Sequence, residues 1–146
     1  MPHIPGSGLP KDYLRPCLLL LLREGSAHGY ELLERVADFG FDHSDPGALY
    51  RVLRKLEAEG KVESSWESSN SGPQKRVYTL TATGIQELDR RATDLAEGER
   101  RIGVFLSRYL RARRLPSTSP KARALLARRA GAQKAARVRR HTAAAR

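Results

Sequence analysis

The sequence predicts a mainly α-helical fold with one small β-hairpin, and three observations carry that prediction. Three segments place apolar residues at steps of three and four, and a fourth is a leucine run without β-branching. Two short alternating runs, near 62–67 and 76–80, bracket a stretch rich in Ser, Asn, Gly and Pro. The last third of the chain is Ala/Arg/Lys-rich and holds no acidic residue. With 146 residues the chain suits one ordinary domain, or a small domain with appendages. Hydrophobic residues at 40% allow a modest core, and aromatics at 6% exclude an aromatic-rich barrel.

The elements follow in order. Residues 1–12 carry Pro2, Pro5, Gly6, Gly8 and Pro10 and read as a flexible arm. The run 13–23 reads as a buried helix ended by Glu24-Gly25. Ser26 is the candidate N-cap of a second helix over 27–39, with Tyr30, Leu33, Val36 and Ala37 on one side and Gly40 closing it. Ser44 or Asp45 caps a third helix with Pro46 near its first position, and Gly60 ends it. The hairpin comes next, with Trp66 expected to pack on the core. Thr81 opens a long helix reaching about Arg113. Three helices followed by a hairpin is the order of a winged helix-turn-helix, in which the third helix enters the major groove and the hairpin loop is the wing. The expected division is an arm at 1–12, a winged domain at 13–80, a dimerisation helix at 81–115 and a basic tail at 116–146. The tail's composition favours helix over 121–140, but with no apolar face broad enough to fold alone it is expected to lack fixed structure.

Charge divides as the elements do. Residues 1–99 hold 12 Lys and Arg against 16 Asp and Glu, a net −4, whereas residues 100–146 hold 15 Lys and Arg and no acid. The two parts give the formal +11 of the whole chain. The basicity belongs to the tail, and such a segment fits a polyanion such as nucleic acid, whose counterions it would release.

The third helix has two faces. Leu49, Val52, Leu53 and Leu56 form an apolar stripe at i, i+3, i+4, i+7, which must be core. Gly47, Tyr50, Arg51 and Arg54 form the opposite side with the same spacing, and Lys55 borders it. Arginine can bond guanine O6 and N7 through two donors or grip a phosphate, and Gly47 lets the backbone approach closely. The plain alternative is a solvated face in which Arg51 and Arg54 pair with Glu57 or Glu59. Position ahead of a wing favours DNA contact. On the hairpin, alternation puts Lys75, Val77 and Thr79 on one face and Arg76, Tyr78 and Leu80 on the other. Gly72-Pro73 stiffens the loop, so Lys75 and Arg76 are the wing's candidate contacts.

These residues also carry a resemblance. His28-Gly29-Tyr30-Glu31-Leu32, the run from Asp45-Pro46-Gly47 through Tyr50-Arg51 to Glu59-Gly60, Trp66-Glu67, and Gly72-Pro73-Gln74-Lys75-Arg76 through Thr81 with Gly84 resemble the PadR family of bacterial transcriptional regulators. The resemblance covers about 13–88. It implies a winged-helix domain, a dimer built through the helix after the wing, and repression of a nearby promoter. By position, Pro46, Gly47, Tyr50 and Arg51 match the family's recognition-helix motif and 72–76 match its wing. Gln74 stands where the family often has a second proline. Some members bind aromatic or planar effectors between dimer helices and winged domains. No residue here identifies such a pocket, so an effector stays unidentified.

The long helix places Ile85, Leu88, Ala92, Leu95, Glu99, Ile102, Leu106 and Tyr109 on a heptad seam with one polar break. A small domain cannot cover so long a stripe, so a second subunit is expected to, with the first helix contributing. Two-fold symmetry then predicts a pseudo-palindromic operator with half-sites about one helical turn or more apart. Arg128, Arg129, Lys134, Arg137, Arg139 and Arg140 in the tail are expected to add sequence-independent affinity. A basic nucleoid-associated protein with little sequence preference is the alternative, and a protein-binding winged helix a third reading.

Other chemistries find no support. Cys17 alone excludes a disulfide framework or Cys-rich zinc module and reads as a small buried hydrophobe. His3, His28, His43 and His141 lack metal-ligand spacing, so no metal or cofactor is expected. Asp42-His43-Ser44-Asp45 reads as a turn ending in a cap. Gly60-Lys61 fails as a phosphate loop because Val62 follows and Lys55 stands where the first glycine belongs. No enzymatic signature remains. The leucine run 18–22 is too short for a bilayer and lacks the flanks of a signal peptide, so a cytoplasmic location is expected.

Overall fold

The computed structural model describes residues 8–42, 45–68, 72–116 and 119–144. Most of the expected arm, Ser44 as a cap, His43, and loop positions 69–71 lie outside the described residues. The chain divides into two compact units, 1–98 and 99–146, with the boundary inside a continuous helix.

The first unit opens with α1 (Leu14–Glu24), which buries Leu14, Cys17, Leu18, Leu19, Leu21 and Leu22. The expected second helix starts two residues late, because Ala27–His28 form a short strand, β1, and α2 spans Gly29–Arg35 before a 3-10 turn at Val36–Phe39. Ser26 therefore caps nothing; its hydroxyl lies 3.0 Å from that of Thr79 on a neighbouring strand. Tertiary pairing overrode local helix propensity at this point. Gly40 then adopts φ +88°, the left-handed conformation that lets the chain leave a helix end.

Next come α3 (Pro46–Ala58) and the strands β2 (Val62–Glu67) and β3 (Lys75–Leu80). The sheet is antiparallel with order β1-β3-β2, in register Ala27↔Tyr78 and Val62↔Leu80. The central strand carries the buried Tyr78. Leu18, Leu19, Leu32, Leu49, Leu53, Leu56, Val36 and Val62 are the largest fully buried side chains. Each buried leucine contributes about 1.5–3 kcal/mol. Val52, expected on the core stripe, is only partly buried against its edge.

Trp66 departs from expectation. It is 62% exposed, with the Arg76 guanidinium 5.6 Å from its ring. It shares a strand face with Val62, but four residues along a strand is about 13 Å, beyond the reach of the core.

The final element of this unit is the beginning of α4 (Ala82–Ala112). Thr81 caps it: its hydroxyl accepts from the Gly84 amide at 3.1 Å and donates to the Gly60 carbonyl at 2.7 Å. Gly84 sits so close to the preceding turn that a Cβ there would lie 2.1 Å from the Lys61 carbonyl oxygen. That approach brings Leu88 into the core, 9% exposed. Leu88 is therefore not a seam residue: it fills its own domain, and the expected dimerisation role is corrected. Ile85 and Leu95 are half-buried.

In the second unit, α4 continues with Ile102, Leu106 and Tyr109 exposed, alongside Val104, Phe105 and Leu110. The tail is not structureless as expected. Pro120–Ala144 form α5, a 25-residue helix with no buried residue. Its alanines and arginines have high intrinsic helix propensity, so local hydrogen bonding builds a helix without an apolar face.

Candidate nucleic-acid interface

The site begins with the cap of α3. The Asp45 carboxylate accepts from the Ala48 amide at 3.2 Å, and Pro46 occupies the first turn, where a missing N–H costs nothing. Burial of Leu49, Leu53 and Leu56 then turns the opposite face outward. Pro46, Gly47, Arg51 and Arg54 are exposed, and Tyr50 is half-buried. A Cβ at Gly47 would meet Asp45 and Arg51 only at ordinary contact distances of 3.5 and 3.6 Å. The fold itself does not demand glycine there; open access to the backbone is what glycine adds.

The acids that would neutralise the arginines are already engaged. Glu57 accepts from the Ser64 hydroxyl and pairs with Arg76 at 3.4 Å. Glu59 pairs with Arg15. Among the described residues no ion pair holds Arg51 or Arg54. The guanidiniums are therefore available to an external acceptor.

Two concavities flank α3 within the first unit. One, of about 300 Å³, is lined by His28, Tyr30, Tyr50, Arg54, Lys75 and Arg76, among others. It unites the helix with the wing: Lys75 stands 5.2 Å from the Tyr30 ring centroid, and His28 stacks on Tyr30 at 5.4 Å. The other, of about 610 Å³, is lined by Arg15, Arg51, Val52, Lys55, Glu87 and Arg91, among others. Arg51 and Arg54 thus face different flanks of one helix, and only Arg54 shares a hollow with Lys75 and Arg76.

Two expected contacts have structural duties as well. Arg76 donates through Nε to Ser64 Oγ at 2.7 Å and covers Trp66, so its guanidinium is partly committed to the hairpin. Tyr50 lies against Gly29, where a Cβ would come within 2.5 Å of its ring. Gly29 thereby lets α2 approach α3 and holds the phenol in place.

The residue reading missed Tyr30 as the platform beneath Lys75. It also missed His28, whose Nε2 lies 3.0 Å from Glu67. The only signal was the His28-Gly29-Tyr30 run itself, which no periodicity connects to the wing. A third omission is the triad of the buried Arg15 and Glu87 with the exposed Glu59, which ties α1 to α4 and to the C-terminal end of α3. Arg15 donates to Glu87 at 2.6 and 2.8 Å. These bonds hold the Glu87 carboxyl below the usual range, against the opposing effect of burial. Burial also pushes the Cys17 thiol up to about 11, as suits a small buried hydrophobe.

Among the described residues no group of three or more His, Cys, Asp or Glu could hold a metal ion. No described helix is long and apolar enough to cross a membrane.

A three-helix core closed by an antiparallel wing, with cations exposed on the third helix, defines a winged helix-turn-helix protein. The model of the transcriptional regulator PadR-like family matches residues 18–90, and the chain belongs to that family of transcription regulators. Its fold is similar to that of a conserved protein of unknown function described as a potential transcriptional factor. That match has 34% identity, 70% of this chain and 92% of the other covered, and a TM-score of 0.62. It is also similar to a PadR-family regulator from Eggerthella lenta, at 30% identity over 64% and 77% of the two chains, TM-score 0.53. Bacillus subtilis PadR, solved in complex with operator DNA, is 29% identical over 57% of this chain and 48% of that one, TM-score 0.51. Comparison with curated proteins gives no match.

Proposed function

We propose that this regulator binds duplex DNA sequence-specifically as a homodimer and represses transcription from a pseudo-palindromic operator. One observation carries the reading: Arg51 and Arg54 stand exposed on α3 while the nearby Glu57 and Glu59 are paired with Arg76 and Arg15 instead. A guanidinium without an internal partner on a major-groove-sized helix is poised for guanine or phosphate. That the similar Bacillus subtilis PadR was solved in complex with operator DNA supports the DNA-binding reading.

Pro46 and Gly47 bring the start of α3 close to the groove. Arg51 and Arg54 read base edges or clamp the flanking phosphates, with Tyr50 beside them. Lys75, stacked on Tyr30, meets a phosphate at the wing, and Arg76 supports the hairpin more than it touches DNA. Dimerisation uses the exposed apolar side chains of Ile102, Leu106 and Tyr109, with Ile85 and Leu95 at the inner end. Water would otherwise meet this stripe, and a second copy of the helix is the simplest cover. A DNA-bound regulator of this kind acts in the cytoplasm, at the nucleoid, and an effector that relieves repression stays without a named residue.

Footprinting the purified protein on DNA flanking its own coding region tests the reading. The expected result is a protected site with two-fold symmetry, bound by two chains. Uniform protection, or protection by one chain of an asymmetric site, would refute it. Replacing Ile102 and Leu106 with Asp is expected to give monomers in sedimentation and to lose the footprint together.

A further inference from the structure

We propose that α5 is a second DNA-binding element, a cationic rod that grips duplex phosphate regardless of sequence; this rests on the reading of the winged domain as a DNA binder. Lys121 to Arg140 lie on a helix with no buried residue and no acid among them. Solvated surface helices intersperse both signs, because like charges three or four residues apart repel. Here Lys134, Arg137 and Arg140 recur at steps of three, and Arg128-Arg129 and Arg139-Arg140 are adjacent. A polyanion relieves that repulsion and releases its own counterions.

Other polyanions fit less well. Lying on a membrane requires one apolar face, yet Leu125, Leu126 and Val138 point at least about 100° from one another around the helix. Single-stranded nucleic acid is held largely by stacking on aromatic rings, and α5 contains no Phe, Tyr or Trp. Duplex phosphate needs neither. The rod is about 37 Å long at 1.5 Å per residue, close to one turn of B-DNA at about 34 Å. Arginine predominates, and its planar fork suits phosphate oxygens. The winged domain lies in a portion of the chain with net charge −4, so it is poorly suited to supply sequence-independent affinity. In this arrangement α3 supplies the preference and α5 the grip.

The test uses the full chain with Arg128, Arg129, Lys134, Arg137, Arg139 and Arg140 all replaced by Gln, a residue of similar helix propensity. Binding to operator and to random duplex is measured across a salt series. The log–log salt slope is expected to become shallower by about 2 to 5, at roughly 0.9 per phosphate neutralised, with affinity for both duplexes falling by similar factors. A companion variant replaces the five arginines with Lys and is expected to keep the slope within about 1 of the original. An unchanged slope in the Gln variant overturns the proposal, as does tighter DNA binding, which would mean that the tail masks the domain. An equal slope loss in the Lys variant overturns it too. The winged-domain reading fails separately: the unmodified chain would then show no operator preference, whatever the tail substitutions do to the slope.

Discussion

The winged domain and α5 hold their structure in opposite ways. In the domain each element depends on others: α1 is fixed by the Arg15 triad, α4 by its approach to Lys61, and α3 by three leucines in a shared core. In α5 no described residue is buried, and the helix rests on backbone hydrogen bonds and propensity, with the Ser119 hydroxyl accepting from the Ala122 amide at its start. The first kind of order fixes individual side chains in place, as reading a base edge requires. The second kind distributes charge along a rod without placing any single group. Specificity and affinity can therefore reside in different parts of one chain.

The most damaging change to the domain should be removal of Glu87. Glu87→Ala leaves Arg15 buried beside only one carboxylate, and loss of a buried partner costs about 3–5 kcal/mol. Urea unfolding is expected to show it, with Arg15→Met/Glu87→Leu recovering most of the loss. A Glu87→Ala midpoint equal to the parent's would show that the triad contributes little. The same pair sets a pH dependence. Because Arg15 lowers the folded-state pKa of Glu87, its stabilisation is present above the ordinary carboxylate range and lost as pH falls through the lowered value. Acid unfolding of the parent should therefore steepen in that window, and the Arg15→Met/Glu87→Leu variant should lack this component.

Paired glycine substitutions sharpen the contrast. Gly84→Ala drives a Cβ into the Lys61 carbonyl and is expected to cost about 3 kcal/mol, lowering the thermal midpoint of the domain. Gly131→Ala meets nothing within 4 Å and is expected to favour α5 by about 1 kcal/mol, raising helicity without moving the domain's transition. If both substitutions shifted the same transition, the two regions would not be independent in the way described. Smallest of all is the expected effect on Cys17 chemistry. With the thiol held near 11 and buried, alkylation at neutral pH should follow global unfolding, and rapid labelling of the native protein would contradict its place in the core.

Much of the domain was legible in the residues because pattern and packing agree there. The α3 stripe, the Asp45-Pro46 start, the hairpin and Thr81 at the head of α4 each combine a local propensity with the burial that the fold imposes. Discrepancies arose where a distant partner decides. Ala27 and His28 are strand only because β3 lies beside them. Trp66 is exposed because the wing outruns the core, and Leu88 turns inward because Gly84 permits close approach. Nothing in the run 13–23 singles out Arg15, because its acids lie 44 and 72 residues away. At the interface, the arginine face of α3 was visible from spacing. The division of Arg51 and Arg54 between two flanks was not, because it depends on which neighbours rise on either side.

The most direct test of the account is selection of bound duplexes from a random-sequence library, followed by competition against unselected DNA. The unmodified protein is expected to enrich a two-fold symmetric site and to prefer it by roughly a thousandfold or more. In Arg51→Ala that preference should drop by about 5- to 150-fold per half-site, the 1–3 kcal/mol of a lost bidentate contact, while the chain remains dimeric. Enrichment of no consensus, or an undiminished preference in Arg51→Ala and Arg54→Ala alike, would contradict the claim that this face of α3 reads DNA.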